Sequence, residues 1–204
     1  MAELILYGPA QAPYVRKVRA ALALKEVGYV LVEPTGPEDF RRWSPETGLL
    51  PVLEAGGRRV ADSAAILDWL ERSWPLPSLV SSDAVAAQKQ RSLERWVEDT
   101  LHFYWANSLR GGEASPGAQA AALAAEFARR LDDLETFLGR RPFYFGEEPS
   151  RADLAVFGFL GNLRATTSAR VAAQVEARQT LREHVERVAE RVREHAWPLA
   201  RPAA

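Results

Sequence analysis

Strand-like and helix-like patterns alternate over the first 75 residues of this chain, and beyond Trp74-Pro75-Leu76-Pro77-Ser78 the strand signals stop. Such an alternation specifies an α/β unit, and a following run of helical patterns without strands specifies an all-α part. Residues 3–7 (ELILY) predict a strand, followed by the turn-rich GPAQAP. From Pro13, the residues Val15, Val18 and Leu22 recur at helical spacing, and Gly28 marks the expected helix stop. Residues 29–33 (YVLVE) predict a second strand, and PTGPEDFRRWSPETG reads as a long connection punctuated by Pro and Gly. Leu50 to Glu54 and Arg58 to Ala61 flank Ala55-Gly56-Gly57, the pattern of an antiparallel hairpin. A helix follows from Ser63 to Ser73.

The expected organisation is an α/β domain over 1–75, a Pro- and Ser-rich linker over 76–83 and an all-α domain over 84–204. Helical patterns in the last part cover 82–110, 118–139, 150–164 and 168–196. With 47% hydrophobic and 26% charged residues, the composition is that of a globular protein rather than a disordered or membrane chain. A net charge of -1 argues against nucleic-acid binding, which needs a concentrated basic excess. The arginines at 140–141 and 187–193 alternate with acids or stand on solvated helix faces. No cysteine is present, so a protein-borne thiol, a disulfide and a thiolate metal site are excluded. The three histidines, His102, His184 and His195, lack metal-ligand spacing. MAELILYG has no basic leader region and no membrane-spanning length, so it reads as a first strand, with a cytoplasmic location the default.

Two short segments carry binding chemistry. Pro51 enters what otherwise reads as a strand, where it cannot donate a ladder hydrogen bond. A cis Leu50-Pro51 bond would free the backbone of Leu50 to pair with an extended peptide ligand, whereas a trans proline would mark an ordinary edge strand. Asp62-Ser63 stands directly before a helical run. There the hydroxyl and the first-turn N–H groups suit a carboxylate and the Asp suits an ammonium, so the pair fits an α-amino acid head group; helix capping alone is the other reading.

In order, these pieces resemble the glutathione transferase family. The carriers are Ala12-Pro13-Tyr14-Val15-Arg16-Lys17-Val18-Arg19, Leu50-Pro51-Val52-Leu53 and the run Asp62 to Leu70. Ser150-Arg151-Ala152-Asp153-Leu154 after Phe143-Tyr144-Phe145-Gly146 is similar to the family's capped central helix. The resemblance implies a thioredoxin-like βαβαββα domain followed by a helical bundle. It implies glutathione as co-substrate, bound by Ala12, Leu50, Pro51, Asp62 and Ser63. It also implies a homodimer and a small hydrophobic electrophile as the second substrate, in an acceptor pocket with Trp96, Phe103, Tyr104 and Trp105 as candidate walls. Peroxide reduction is a related activity, and a transferase-fold binding or interaction protein without catalysis is the alternative.

The chain departs from the family pattern at two positions. Where relatives place a hydroxyl or thiol that activates the ligand's sulfur, this chain has Ala12. Lowering a thiol from roughly 8.5 to roughly 6.5 requires about 2.7 kcal/mol, and a helix N-terminus supplies about 0.3–1, up to ~2 when partly buried. Tyr7, Gln11 and Tyr14 are therefore the candidate catalytic donors, with Arg16 a source of positive potential and the absence of any dedicated side-chain donor the other reading. Leu49 replaces the Lys or Gln that meets the ligand's glycine end, leaving Arg41, Arg42 or Trp43 as possible substitutes.

Overall fold

The computed structural model describes residues 3–104, 118–165 and 169–194. Its first part runs β1 (Leu4–Tyr7), α1 (Pro13–Leu24), β2 (Val30–Val32), α2 (Pro37–Trp43), β3 (Val52–Ala55), β4 (Arg58–Ala61) and α3 (Ser63–Ser73). The strands form one mixed sheet in the order β2-β1-β3-β4, with β1 parallel to β2 and the other two pairs antiparallel. Alternation divides the sheet: Leu6 and Leu53 are cross-strand partners and fully buried beneath α1 and α3. Tyr7 and Glu54 point to the opposite face, where Trp43 of α2 stacks on the Tyr7 ring at 4.8 Å. The turn between β3 and β4 uses Gly56 and Gly57 at φ 55° and 78°, the two consecutive positive values of the hairpin turn expected there.

Two local expectations in this part are corrected. The connection after β2 contains α2, with Pro37 in its first turn, Glu38 and Asp39 at its positive end and Arg41 and Arg42 at its negative end. Helix α1 ends at Leu24, short of Gly28; Glu26 takes the left-handed conformation at φ 54°, and the Val27 N–H closes on the Leu22 carbonyl. Burial of Val27 and Tyr29 fixes this early exit, so a non-glycine residue bears the turn.

The second part contains α4 (Ala84–Trp96), a π-helical turn (Val97–Leu101) continuing it, α5 (Ala118–Leu138), α6 (Arg151–Arg164), α7 (Ala169–Glu176) and α8 (Gln179–Glu194). The pattern over 168–196 predicted one helix, but it divides at Ala177 and Arg178 without a Gly or Pro. Arg178 is tied to α5 through Asp132 at 2.8 Å and the Ala128 carbonyl, and Glu135 accepts from the Thr180 N–H to cap α8. Tertiary hydrogen bonds therefore set that break.

Helix α6 is buried along almost its whole length and packs against α1, α4, α7 and α8. Its N-terminus carries the expected capping box: Asp153 accepts from the Ser150 N–H and hydroxyl. The same carboxylate accepts from the Tyr144 N–H and bonds buried His184 at 2.9 Å. Gly158 lets α1 and α6 touch, for a Cβ there would lie 2.4 Å from the Pro13 carbonyl oxygen. Lys25, buried at the end of α1, donates to the Trp74 and Pro77 carbonyls and pairs with Glu71 at 2.7 Å, pinning the Pro-rich connection. Among the described residues no helix is long and apolar enough to cross a membrane.

Candidate functional site

The end of β1, the first turn of α1 and the loop before β3 converge at Gly8. A Cβ on Gly8 would meet Val15 Cγ2 at 2.6 Å, Leu50 Cβ at 3.6 Å and Pro51 Cα at 3.7 Å, and its φ is 151°. Glycine is thus required by both space and backbone. The Leu50-Pro51 peptide bond is cis.

The tip of α1 is left uncapped by side chains. Ala12 is the N-cap, its own N–H donates to the Pro9 carbonyl, and the first ladder bond runs from the Arg16 N–H to the Ala12 carbonyl. Pro13 has no N–H. The N–H groups of Tyr14 and Val15 are therefore the ones that helix geometry leaves without an intrahelical acceptor.

The tip of α3 is built differently. Asp62 sits at φ 76° and ψ 130°, a conformation that costs a non-glycine residue of order 1–3 kcal/mol. Its carboxylate offsets part of that by accepting from the Ala64 and Ala65 N–H groups, both at 2.9 Å. Ser63 is buried; its hydroxyl accepts from Lys17 Nζ at 3.1 Å and donates to Glu98 at 3.2 Å. Asp62 thus caps α3, and Ser63 ties the start of α3 to α1 through Lys17.

The named donors go to different places. Tyr7 lies on the α2 face of the sheet and its hydroxyl donates to Glu54 at 3.3 Å; burial, then the Glu54 charge, raises its pKa. The Gln11 side chain accepts from Arg16, and its carbonyl accepts from Asn162. Tyr14 stands on the first turn of α1, with its hydroxyl donating to the Glu98 carbonyl at 3.4 Å and its ring 5.7 Å from His102. Burial first, then the charges of Glu98, Asp99 and Asp62, pushes its pKa up to about 12. Tyr14 is therefore a protonated donor throughout the neutral range.

Under the two tips lies a buried ionic network that pattern reading missed. Lys17 pairs with Glu94 at 2.5 Å and Glu98 at 2.7 Å, and Arg151 pairs with the other oxygen of Glu94 and with Asp68 at 2.5 Å. These residues join α1, α3, α4, the π-helical turn and α6. Burial raises the pKa of Glu98, against the pull of Lys17. The available signal was a charged residue on an apolar helical face: Lys17 shares the stripe of Ala20, Ala21 and Leu24.

Among the acceptor-pocket candidates, Trp96 closes α4 and is partly buried against the core. Tyr104 is likewise packed on the core, Phe103 is 52% exposed and meets Tyr104 edge-on at 5.2 Å, and Trp105 lies outside the described residues, as does His195. Leu49 is exposed; Arg41 approaches Gly48, its Cγ lying 3.8 Å from where a Cβ there would stand.

Residues 12–73 match the family model for the glutathione S-transferase N-terminal domain, and residues 127–188 match that for the C-terminal domain. A probable glutathione S-transferase, GSTU6 of Oryza sativa subsp. japonica, is 30% identical over 171 residues, spanning 78% of this chain and 72% of the relative. The chain belongs to the glutathione S-transferase family. A maleylpyruvate isomerase of Ralstonia sp is 32% identical over 67% of this chain and 71% of its own length. Among solved structures, rice GST1 in complex with glutathione superposes with a TM-score of 0.79 at 25% identity, covering 95% of this chain and 90% of that one. The mango Tau class transferase MiGSTU gives 0.78 at 23% identity over 97% and 94%, a likeness of fold. The mixed four-stranded sheet and following helices are thus those of the glutathione S-transferase family.

Proposed function

We propose that this family member binds glutathione across the tips of α1 and α3 and presents its thiol to a small hydrophobic electrophile. The observation that carries this reading is the convergence at Gly8, where the uncapped α1 turn meets the Leu50-Pro51 loop, with the start of α3 tied to α1 by the Lys17–Ser63 hydrogen bond at 3.1 Å. In this reading the backbone of Leu50 beside Pro51 pairs with the cysteinyl unit. Asp62 takes the ammonium, and the α3 tip at Ser63 takes the γ-glutamyl carboxylate through its backbone, the hydroxyl being held by Lys17 and Glu98. The sulfur rests at the α1 turn, on the N–H groups of Tyr14 and Val15.

Of the three donors considered from sequence, Tyr14 stands on the α1 turn with its hydroxyl on the Glu98 carbonyl, Tyr7 is engaged with Glu54 behind the sheet and Gln11 with Arg16, so the reading rests the thiol on helix N–H groups. A thiol held mainly by helix N–H groups keeps an apparent pKa of about 7–8, since a partly buried helix end contributes up to ~2 kcal/mol. Domain limits of 1–75 and 84–204, a homodimer and a cytoplasmic location belong to the same proposal. The test is a conjugation assay with an aryl halide and an activated alkene alongside glutathione binding. Turnover that rises with pH through 7–8 supports the reading, and binding without turnover on varied electrophiles assigns the chain a non-catalytic role.

A further inference from the structure

Tyr7, one of the three donors considered from sequence, packs into a cluster that the proposed chemistry leaves unused. Its ring centroid lies 4.8 Å from that of Trp43, the last residue of α2, and the Arg59 guanidinium stands 5.5 Å from the same ring. Glu54 accepts from the Tyr7 hydroxyl at 3.3 Å and from Arg59 Nε at 2.8 Å, a charge-assisted bond. Arg59 reaches on to the Arg42 carbonyl at 3.2 Å. Side chains from β1, β3 and β4 thus grip the C-terminal end of α2.

That end continues into the loop that carries Leu50. Trp43 is buried, and the carbonyl of Ser44 after it accepts from the Gly48 N–H at 2.7 Å. The Ser44 and Thr47 hydroxyls bond at 2.8 Å, and Thr47 Oγ1 also accepts from the Leu49 N–H at 3.2 Å. With these bonds the turn is closed on itself, so a displacement of Trp43 passes to Leu50 instead of being absorbed. On the other flank Tyr7 is the cross-strand partner of Val52, two residues beyond Leu50. Tyr7 therefore bears on residue 50 from both sides, through its backbone at Val52 and through its ring at Trp43.

We infer that Tyr7 is a positioning residue, whose ring seats α2 and so sets where the Leu50 backbone meets the cysteinyl unit, and that it takes no part in activating the sulfur. The functional consequence rests on the glutathione reading above; the anchoring rests on the contacts of α2 with the sheet alone. Removing the ring weakens glutathione and leaves unchanged the pH at which the bound thiol ionises. Removing a thiol donor would instead move that pH upward.

The experiment compares the full chain with Tyr7→Ala, Tyr7→Phe and Arg59→Gln by amide hydrogen exchange and by the pH dependence of kcat and KM in glutathione conjugation. Expected for Tyr7→Ala is at least tenfold faster exchange over residues 38–50 with residues 63–70 unchanged, a KM for glutathione raised at least fivefold and a kcat within twofold. Tyr7→Phe, which keeps the ring, should hold KM within twofold and leave the pH profile of kcat unmoved. Arg59→Gln, at a side chain 42% exposed, should speed exchange over 38–43 at least threefold and decides the anchoring should Tyr7→Ala misfold. A chain that binds no glutathione sinks the glutathione reading, and exchange over 38–50 still decides whether Tyr7 seats α2. Exchange there no faster in the variants than in the parent chain, or a Tyr7→Phe profile displaced to higher pH with kcat reduced, overturns the inference.

Discussion

Ala12 sets the chemistry available at the α1 tip, because its side chain can neither cap the helix nor donate to a sulfur. Ala12→Ser should add one hydrogen bond to a developing thiolate, worth about 1.5–3 kcal/mol, and so lower the apparent pKa of conjugation by about 1–2 units. The pH dependence of kcat/KM for the two proteins checks this directly. Tyr14 offers a second handle. Its folded value of about 12 stands above the ordinary 10.0, so the unfolded chain loses that proton first. The stability tied to protonated Tyr14 is complete below pH 10 and is lost as pH climbs towards 12. Tyr14→Phe should flatten that alkaline fall in urea-unfolding midpoints. At this scale the special bond before Pro51 and the Asp62 cap on α3 carried local sequence signals, whereas the Ser63 hydroxyl is held by Lys17 and Glu98 from far along the chain. Lys17, Glu94 and Arg151 were not legible, since their ion pairs join residues 57 or more apart on three helices.

Helix α1 is the element on which the site depends, and α6 is its support. Gly158→Val should force the α1 backbone away from α6, a strain of about 1–3 kcal/mol or more. Denaturant unfolding measures the loss, and glutathione affinity should fall with it because the α1 tip moves. Beneath the tip, Lys17→Met would leave Glu98 without its cation and Glu94 with Arg151 alone. Breaking such a pair costs about 3–5 kcal/mol, readable in the urea midpoint. Elements with local signals were readable from sequence: the Gly-Gly hairpin, the α3 start and the Ser150–Asp153 box. Helix α2 had its signals too, in Gly36-Pro37 and the charges at its ends, hidden inside a Pro/Gly-rich stretch. The break between α7 and α8 had none, because Arg178 makes it through contacts with α5.

Across the molecule, the α/β and helical parts share one interior. Leu6, Val15, Val18, Phe157 and Leu160 belong to a single hydrophobic cluster, and the Lys17–Glu94–Arg151 pairs cross the same boundary. Positioning of the α1 tip is thus a property of the whole fold. In the proposed complex this fold brings the α1 tip, residue 50 and residue 62 onto one tripeptide. Titration calorimetry with reduced glutathione tests it most directly, comparing the chain with Asp62→Asn, which keeps a capping oxygen and tolerates positive φ while removing the charge. Expected is saturable binding of one glutathione per chain, weakened at least tenfold in the variant. Absence of saturable heat, or equal affinity in the two proteins, would contradict it.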